Sequence, residues 1–142
     1  MKKLVMMLAM VMMLAMSAVC SASNGKVLDA EEAIVDKFLN ASNYNAITSM
    51  MTEDMKKDFT AETFTNFKDQ LNKNFGKLNE KQLFLVEKHN DADVLRYQSK
   101  FEKVPAAQFT FLFVVKNEKP LMEKFALALP PKPEEAKAEK NN

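Results

Sequence analysis

The sequence predicts an α+β domain in which three N-terminal helices pack on a curved four-stranded antiparallel sheet. Three observations predict it. Apolar residues recur at helical spacing from Ala30 to Phe75, the spacing changes to alternation from Lys81 onward, and Gly76, one of only two glycines, stands at the change. Helices that come first in the chain and strands that follow bury their apolar sides against each other in two layers.

Each element has its own local signal. Asp29 followed by Glu32 forms an N-cap with its reciprocal acid, and Ala30, Ala33, Ile34, Phe38 and Leu39 then define a first helix over about 30–41. Asn43 or Ser42 can cap a short second helix carrying Tyr44, Ile47, Met50 and Met51. Thr52 can cap a further turn that buries Met55 and Phe59. Thr60 opens a third helix with a stripe of Phe64, Phe67, Leu71 and Phe75, while Lys68, Asp69, Asn72 and Lys73 surround its wet side. Gly76 is placed to end it in a left-handed cap.

Four strands follow. Gln82 to His89 is the first, and the polar turn Asn90-Asp91-Ala92 leads into Val94 to Glu102. There Leu95, Tyr97, Ser99 and Phe101 alternate with Arg96, Gln98, Lys100 and Glu102. Gln108 to Lys116 is apolar on both faces, with Phe109, Phe111, Phe113 and Val115 opposed to Thr110, Leu112 and Val114, so it belongs in the middle of the sheet. Asn117 to Pro120 turns the chain into a last strand, about Leu121 to Leu129. Pro130, Pro131 and Pro133 then stop the fold, and 130–142 reads as a charged, disordered tail.

The other end reads as an export signal. Lys2 and Lys3, an apolar run of 13 residues from Leu4 to Met16, and small residues through Ala22 match a signal peptide over 1–22. The run is short for a membrane span, which needs about 20 apolar residues. Cleavage after Ala22 or after Cys20 satisfies the small-residue rule, and either cut discards the only cysteine. Lipidation of Cys20 is the weaker alternative, because Ser17 and Val19 stand where such a site wants a large aliphatic and a small residue. The expected localisation is therefore periplasmic or extracellular, with the membrane reached only through an uncleaved leader or a lipidated Cys20.

What remains after export, 23–129 plus the tail, has 18 basic side chains (20 less Lys2 and Lys3) against 19 acidic ones, a net charge of −1. A near-neutral domain has no field to gather nucleic acid. Seven of the 11 methionines lie in the leader, so the domain is not methionine-rich. Without cysteine it must be held by a packed core, for which about 105 residues suffice.

Ala33 to Phe38, Tyr44-Asn45-Ala46-Ile47, Phe75-Gly76-Lys77-Leu78 and Arg96 to Glu102, in this order, resemble the cone-shaped nuclear transport factor 2-like superfamily, more specifically its small bacterial secreted domains of unknown function. The likeness spans about 28–129. It implies a cone whose cavity lies between the helices and the concave sheet, a place used in that superfamily for catalysis, small-molecule binding or association. Residues, not fold, must choose among these.

The inward strand positions are Leu95, Tyr97, Ser99, Phe101, Phe109, Phe111, Phe113, Phe125 and Leu127, with Glu123 in phase with Phe125. If the cone is open, Tyr97, Ser99, Phe101, Phe109, Phe111 and Glu123 are the candidate ligand-pocket residues, suited to a small apolar ligand. If it is closed, the 11 phenylalanines are simply its core. Leu112 and Val114, on the other face, are candidates for an interface, such as a homodimer through the sheet. No catalytic residue is assigned: His89 is the only histidine and heads a turn, so no histidine-containing triad or metal set can be built. Arg96, the only arginine, reads as a surface stem, and Asp91 and Asp93 read as turn residues rather than calcium ligands. No metal or cofactor is implied. The expected function is a non-enzymatic exported domain for ligand binding or association. The alternatives are a cone-type lyase, isomerase or hydrolase with Tyr97 as hydrogen-bond donor and Glu123 as base, or a purely structural accessory domain.

Overall fold

The computed structural model describes residues 25–129, so the leader, Cys20 and the proline-rich tail lie outside the described residues. A first helix, α1, occupies 25–40 and buries Val27, Glu31, Val35 and Phe38 at steps of four, four and three, the spacing of one helical face. It extends further toward the N-terminus than the Asp29–Glu32 pairing predicts. Asp29 lies exposed inside the helix, and Val27, itself buried, carries the stripe upstream.

After α1 the expected second helix is two 3-10 turns, Tyr44–Ala46 and Thr48–Met50. The Asn43 side chain accepts the Ala46 N–H, and the Thr48 hydroxyl donates to the Asn45 carbonyl at 3.1 Å. Such short polar side chains compete with the backbone and favour tight turns over a continuing helix. Helix α2, Glu53–Asp58, and helix α3, Ala61–Asn74, begin at the expected caps: Thr52 accepts the Met55 N–H at 3.1 Å and Thr60 the Thr63 N–H at 3.3 Å. Gly76 ends α3 at φ +76°, its N–H reaching the Leu71 and Asn72 carbonyls at 3.2 and 3.1 Å.

The sheet is an antiparallel meander in chain order: β1 Leu78–Lys88, β2 Ala92–Phe101, β3 Ala107–Lys116 and β4 Lys119–Ala128. Asn117 and Glu118, at φ 50° and 61°, form the two-residue turn between β3 and β4, a left-handed pair whose twist matches the hairpin. The free side of β4 is partly covered, since the Thr52 N–H donates to the Met122 carbonyl at 3.0 Å and Met51 bridges Met122.

Two irregularities set which side chains face the helices. In β1 the register slips at Phe84, which leaves this residue 52 % exposed and turns Val86 and Lys88, rather than Leu85 and Glu87, toward the helical layer. In β4 the register slips at Glu123: Met122 pairs with Phe113 and Lys124 with Leu112, so Met122 takes the inward position expected of Glu123.

The helices cover one face of the sheet and close its interior. Phe38, Tyr97, Phe109, Phe111 and Phe113 are each at most 1 % exposed. Phe38 of α1 lies 4.7 Å from Phe125 and 6.0 Å from Phe111, Phe59 lies 5.1 Å from Phe125, and Phe109 stacks on Phe111 at 5.6 Å. These are the tilted, edge-on and offset contacts that aromatic rings favour.

Candidate functional site

The inward residues expected to line a pocket are packed in this core. Tyr97, Ser99, Phe101, Phe109 and Phe111 are all buried, and Tyr97 meets Phe111 edge-on at 5.9 Å. The Tyr97 hydroxyl and the Ser99 hydroxyl have no hydrogen-bond partner among the described residues. Burial raises the Tyr97 pKa, and the carboxylates of Glu32, Asp36 and Glu31 push it the same way, so the phenol stays neutral. Lys81 sits over its ring at 4.4 Å from the centroid while pairing with Asp36 at 2.9 Å.

Glu123 stands elsewhere. Its bulge position puts it on the wall of two surface grooves, one shared with Asp54, Asp58, Phe59 and Phe125, the other with Met51, Val114, Lys119 and Leu121. Neither groove includes Tyr97. The donor and base of the enzyme reading therefore do not share a site. A third groove, about 490 Å³, runs between the C-terminal ends of α1 and α3 and is lined by Asn40, Lys68, Asn72, Lys77, Phe101 and Glu102. Lys68 donates to the Leu39 carbonyl at 2.6 Å, and burial lowers its pKa. Of the expected pocket residues Phe101 alone reaches this groove.

The opposite sheet face carries no helix among the described residues. Cross-strand register sets its rows. Val94 pairs with Leu112, flanked by Glu87 on β1 and Lys124 on β4. The next row runs Ala92, Val114, Leu121, and the row on the other side Leu85, Arg96, Thr110, Ala126. Leu112 and Val114, the expected interface residues, thus lie together on the two middle strands with Val94 beside them. Leu121 is 38 % exposed. Arg96 reaches Glu87 only at 3.9 Å, and its Nε is buried without a hydrogen-bond partner among the described residues.

The most polar buried cluster is one the sequence reading did not single out. Glu31 of α1 is fully buried, and its Oε2 accepts from Lys88 Nζ at 3.2 Å; the same ammonium donates to Asp93 Oδ2 at 2.5 Å. Lys88 and Asp93 are register partners at the end of the β1–β2 hairpin, and Asp93 is a buried strand residue rather than a turn residue. Burial pushes the Glu31 pKa up to about 7, a hydrogen bond with Asp93 adds to the rise, and Lys88 opposes it. Burial works against the Lys88 charge, but the hydrogen bonds with Asp93 and Glu31 outweigh it and hold its pKa above the ordinary lysine value.

The signal for Glu31 was present in the sequence: with Val27, Val35 and Phe38 it marks one helical face, and an acid on that stripe is a buried acid. Reading the apolar face from Ala30, Ala33 and Ile34 left it out. His89 is exposed, its N–H donating to the Ala92 carbonyl at 2.8 Å in the hairpin turn. Among the described residues no three His, Cys, Asp or Glu side chains assemble as a metal set, and no helix is long and apolar enough to cross a membrane.

Fold and site together define a small α+β domain with a packed aromatic interior, one sheet face that no helix covers among the described residues, and two buried acids that share a partly exposed lysine. The chain belongs to the family described as protein of unknown function DUF3887, which matches residues 32–123, from within α1 to the middle of β4. A comparison with curated proteins found no match.

Proposed function

We propose that this is an exported, non-enzymatic domain of the cone type that works by association, two copies pairing through the open faces of their sheets. The observation that carries the reading is the row Glu87, Val94, Leu112, Lys124 across the four strands. It is complementary to itself. With a two-fold axis parallel to the strands, between β2 and β3, Val94 of one copy meets Leu112 of the other and Glu87 meets Lys124, each contact occurring twice. Ala92 then faces Val114, and Arg96 faces Thr110. Apolar side chains at the middle of a face with opposite charges at its two edges are the arrangement of a small isologous interface.

The packed interior favours association over a ligand held inside the cone. Tyr97 and Phe109 pack on Phe111, which packs on Phe38 of α1, and burying large apolar side chains of this kind stabilises a fold by about 1.5 to 3 kcal/mol each. The leader read in the sequence supports export, and the order of three helical segments and a bent meander supports the nuclear transport factor 2-like kinship.

Sedimentation equilibrium of the purified protein and of Leu112→Lys tests the pairing. The native chain is expected to sediment as a dimer, and the variant as a folded monomer with unchanged circular dichroism. A native chain that stays monomeric at high micromolar concentration removes the proposal.

A further inference from the structure

Glu31, Asp93 and Lys88 form a set whose charges do not balance unless a proton is added. Two carboxylates and one ammonium sum to −1, and the set lies between a helix and a hairpin, with Glu31 fully buried and Asp93 only 7 % exposed in its side chain. Lys88 divides itself between them, close to Asp93 and farther from Glu31. Glu31 Oε1 has no donor from any described residue. An unpartnered carboxylate oxygen at full burial is costly if charged, and a proton on Glu31 turns the carboxyl into a donor toward Asp93.

We infer that one proton held between Glu31 and Asp93, with Lys88 closing the set, latches helix α1 to the end of the β1–β2 hairpin, and that loss of this proton loosens the helix. The contact joins residues 57 positions apart and ties the first half of α1 to the sheet. The groups that act on Glu31 are Lys88 from β1 and Asp93 from β2. Tyr97, also from β2, feels the Glu31 charge but stays neutral through burial and adds none of its own.

The direction with pH follows from where the proton resides. The folded carboxyl binds it more tightly, at about pH 7, than the unfolded chain does near 4.5. The stability it contributes is complete below that lower value, declines as pH rises between the two, and is gone above the upper one. The latch is closed at mildly acidic pH and open at alkaline pH. A domain so built changes the hold on α1 within the range that exported proteins meet.

Carboxyl carbon NMR of the native protein reads the titration of Glu31 directly. The expected midpoint lies near 7, and a midpoint in the ordinary glutamate range overturns the inference. Hydrogen exchange, corrected for intrinsic rates, is expected to show the α1 amides of Val35 and Phe38 losing about tenfold protection between pH 6 and 8.5 while α3 amides keep theirs. Equal behaviour of the two helices also overturns it. In Glu31→Gln the amide keeps a donor for Asp93 and an acceptor for Lys88 without a titrating proton. Its melting temperature should stay level where that of the native chain falls by roughly 10 °C between pH 5 and 8. Matching pH dependence in the two proteins is the third result that overturns it, and the NMR titration stands alone should the variant fail to fold.

Discussion

Lys88 and Asp93 face each other across the β1–β2 hairpin at 2.5 Å, and the same lysine reaches a fully buried carboxylate on the first helix, Glu31, at 3.2 Å. A hairpin end that would otherwise project from the sheet is thereby tied to the helical layer. The tie is ionic and partly wet, since 38 % of the Lys88 side chain remains exposed.

Lys88→Met should leave both carboxylates without a cation. We expect a loss of about 1 to 2 kcal/mol at pH 8, reduced from the cost of a fully buried pair because solvent screens the exposed part of the lysine. Lys88 holds the Glu31 pKa down, so its removal raises that pKa further. The deficit should then shrink as pH falls to 5, where Glu31 is protonated in both proteins. Urea melts at the two pH values measure the difference.

Phe111→Ala should cost about 3 to 5 kcal/mol, the range for deleting a large buried aromatic side chain. Phe111 lies against Phe38, Tyr97, Phe109 and Phe125, so its removal leaves a void bordered by both layers. A domain of this size has about 5 to 15 kcal/mol in total, and the variant should be partly unfolded at 37 °C by circular dichroism.

Gly76→Ala should destabilise by about 1 to 2 kcal/mol, the strain of placing a side chain in the left-handed region. The added Cβ would also stand 2.8 Å from Glu102 Oε2 and 3.0 Å from Glu102 Cβ. Glu102 cannot simply swing away, because the same oxygen accepts the Lys77 N–H at 2.9 Å. The urea midpoint of the variant reads the cost.

Charge reversal tests the register of the proposed pairing within the dimer. Glu87→Lys and Lys124→Glu should each weaken the dimer about tenfold, and the double variant should recover it, because the two positions meet across the two-fold axis. Additive weakening in the double variant would leave the dimer but rule out this axis.

Several elements are legible in the sequence alone. Thr52, Thr60 and Gly76 mark helix ends because capping is a local event, decided by one side chain and the nearest free N–H or carbonyl groups. The central place of β3 was legible because Leu112 and Val114 leave it no wet face. The start of α1 was not. The Asp29–Glu32 pair imitates a cap convincingly, but the helix runs past it and buries Val27 on the same face as Val35 and Phe38. Glu31 lay inside the expected helix but off the face read from Ala30, Ala33 and Ile34, so the acid–lysine cluster that turns on it went unseen. Asp93 escaped for a similar reason: beside Asn90 and Asp91 it reads as part of a turn, and its strand pairing with Lys88 is visible only across the hairpin.

The sequence by itself determined the order of the elements, the thiol-free and charge-balanced character of the domain and the alternation that sorts the faces of β2 and β3. All of these depend on residues close in the chain. Tertiary structure alone decided that the interior between the helices and the sheet is filled, that Met122 rather than Glu123 turns inward, and that two buried acids share one partly exposed lysine. Filling depends on how side-chain volumes from both layers meet, and a bulge depends on the partner strand. Neither quantity exists until distant parts of the chain are brought together.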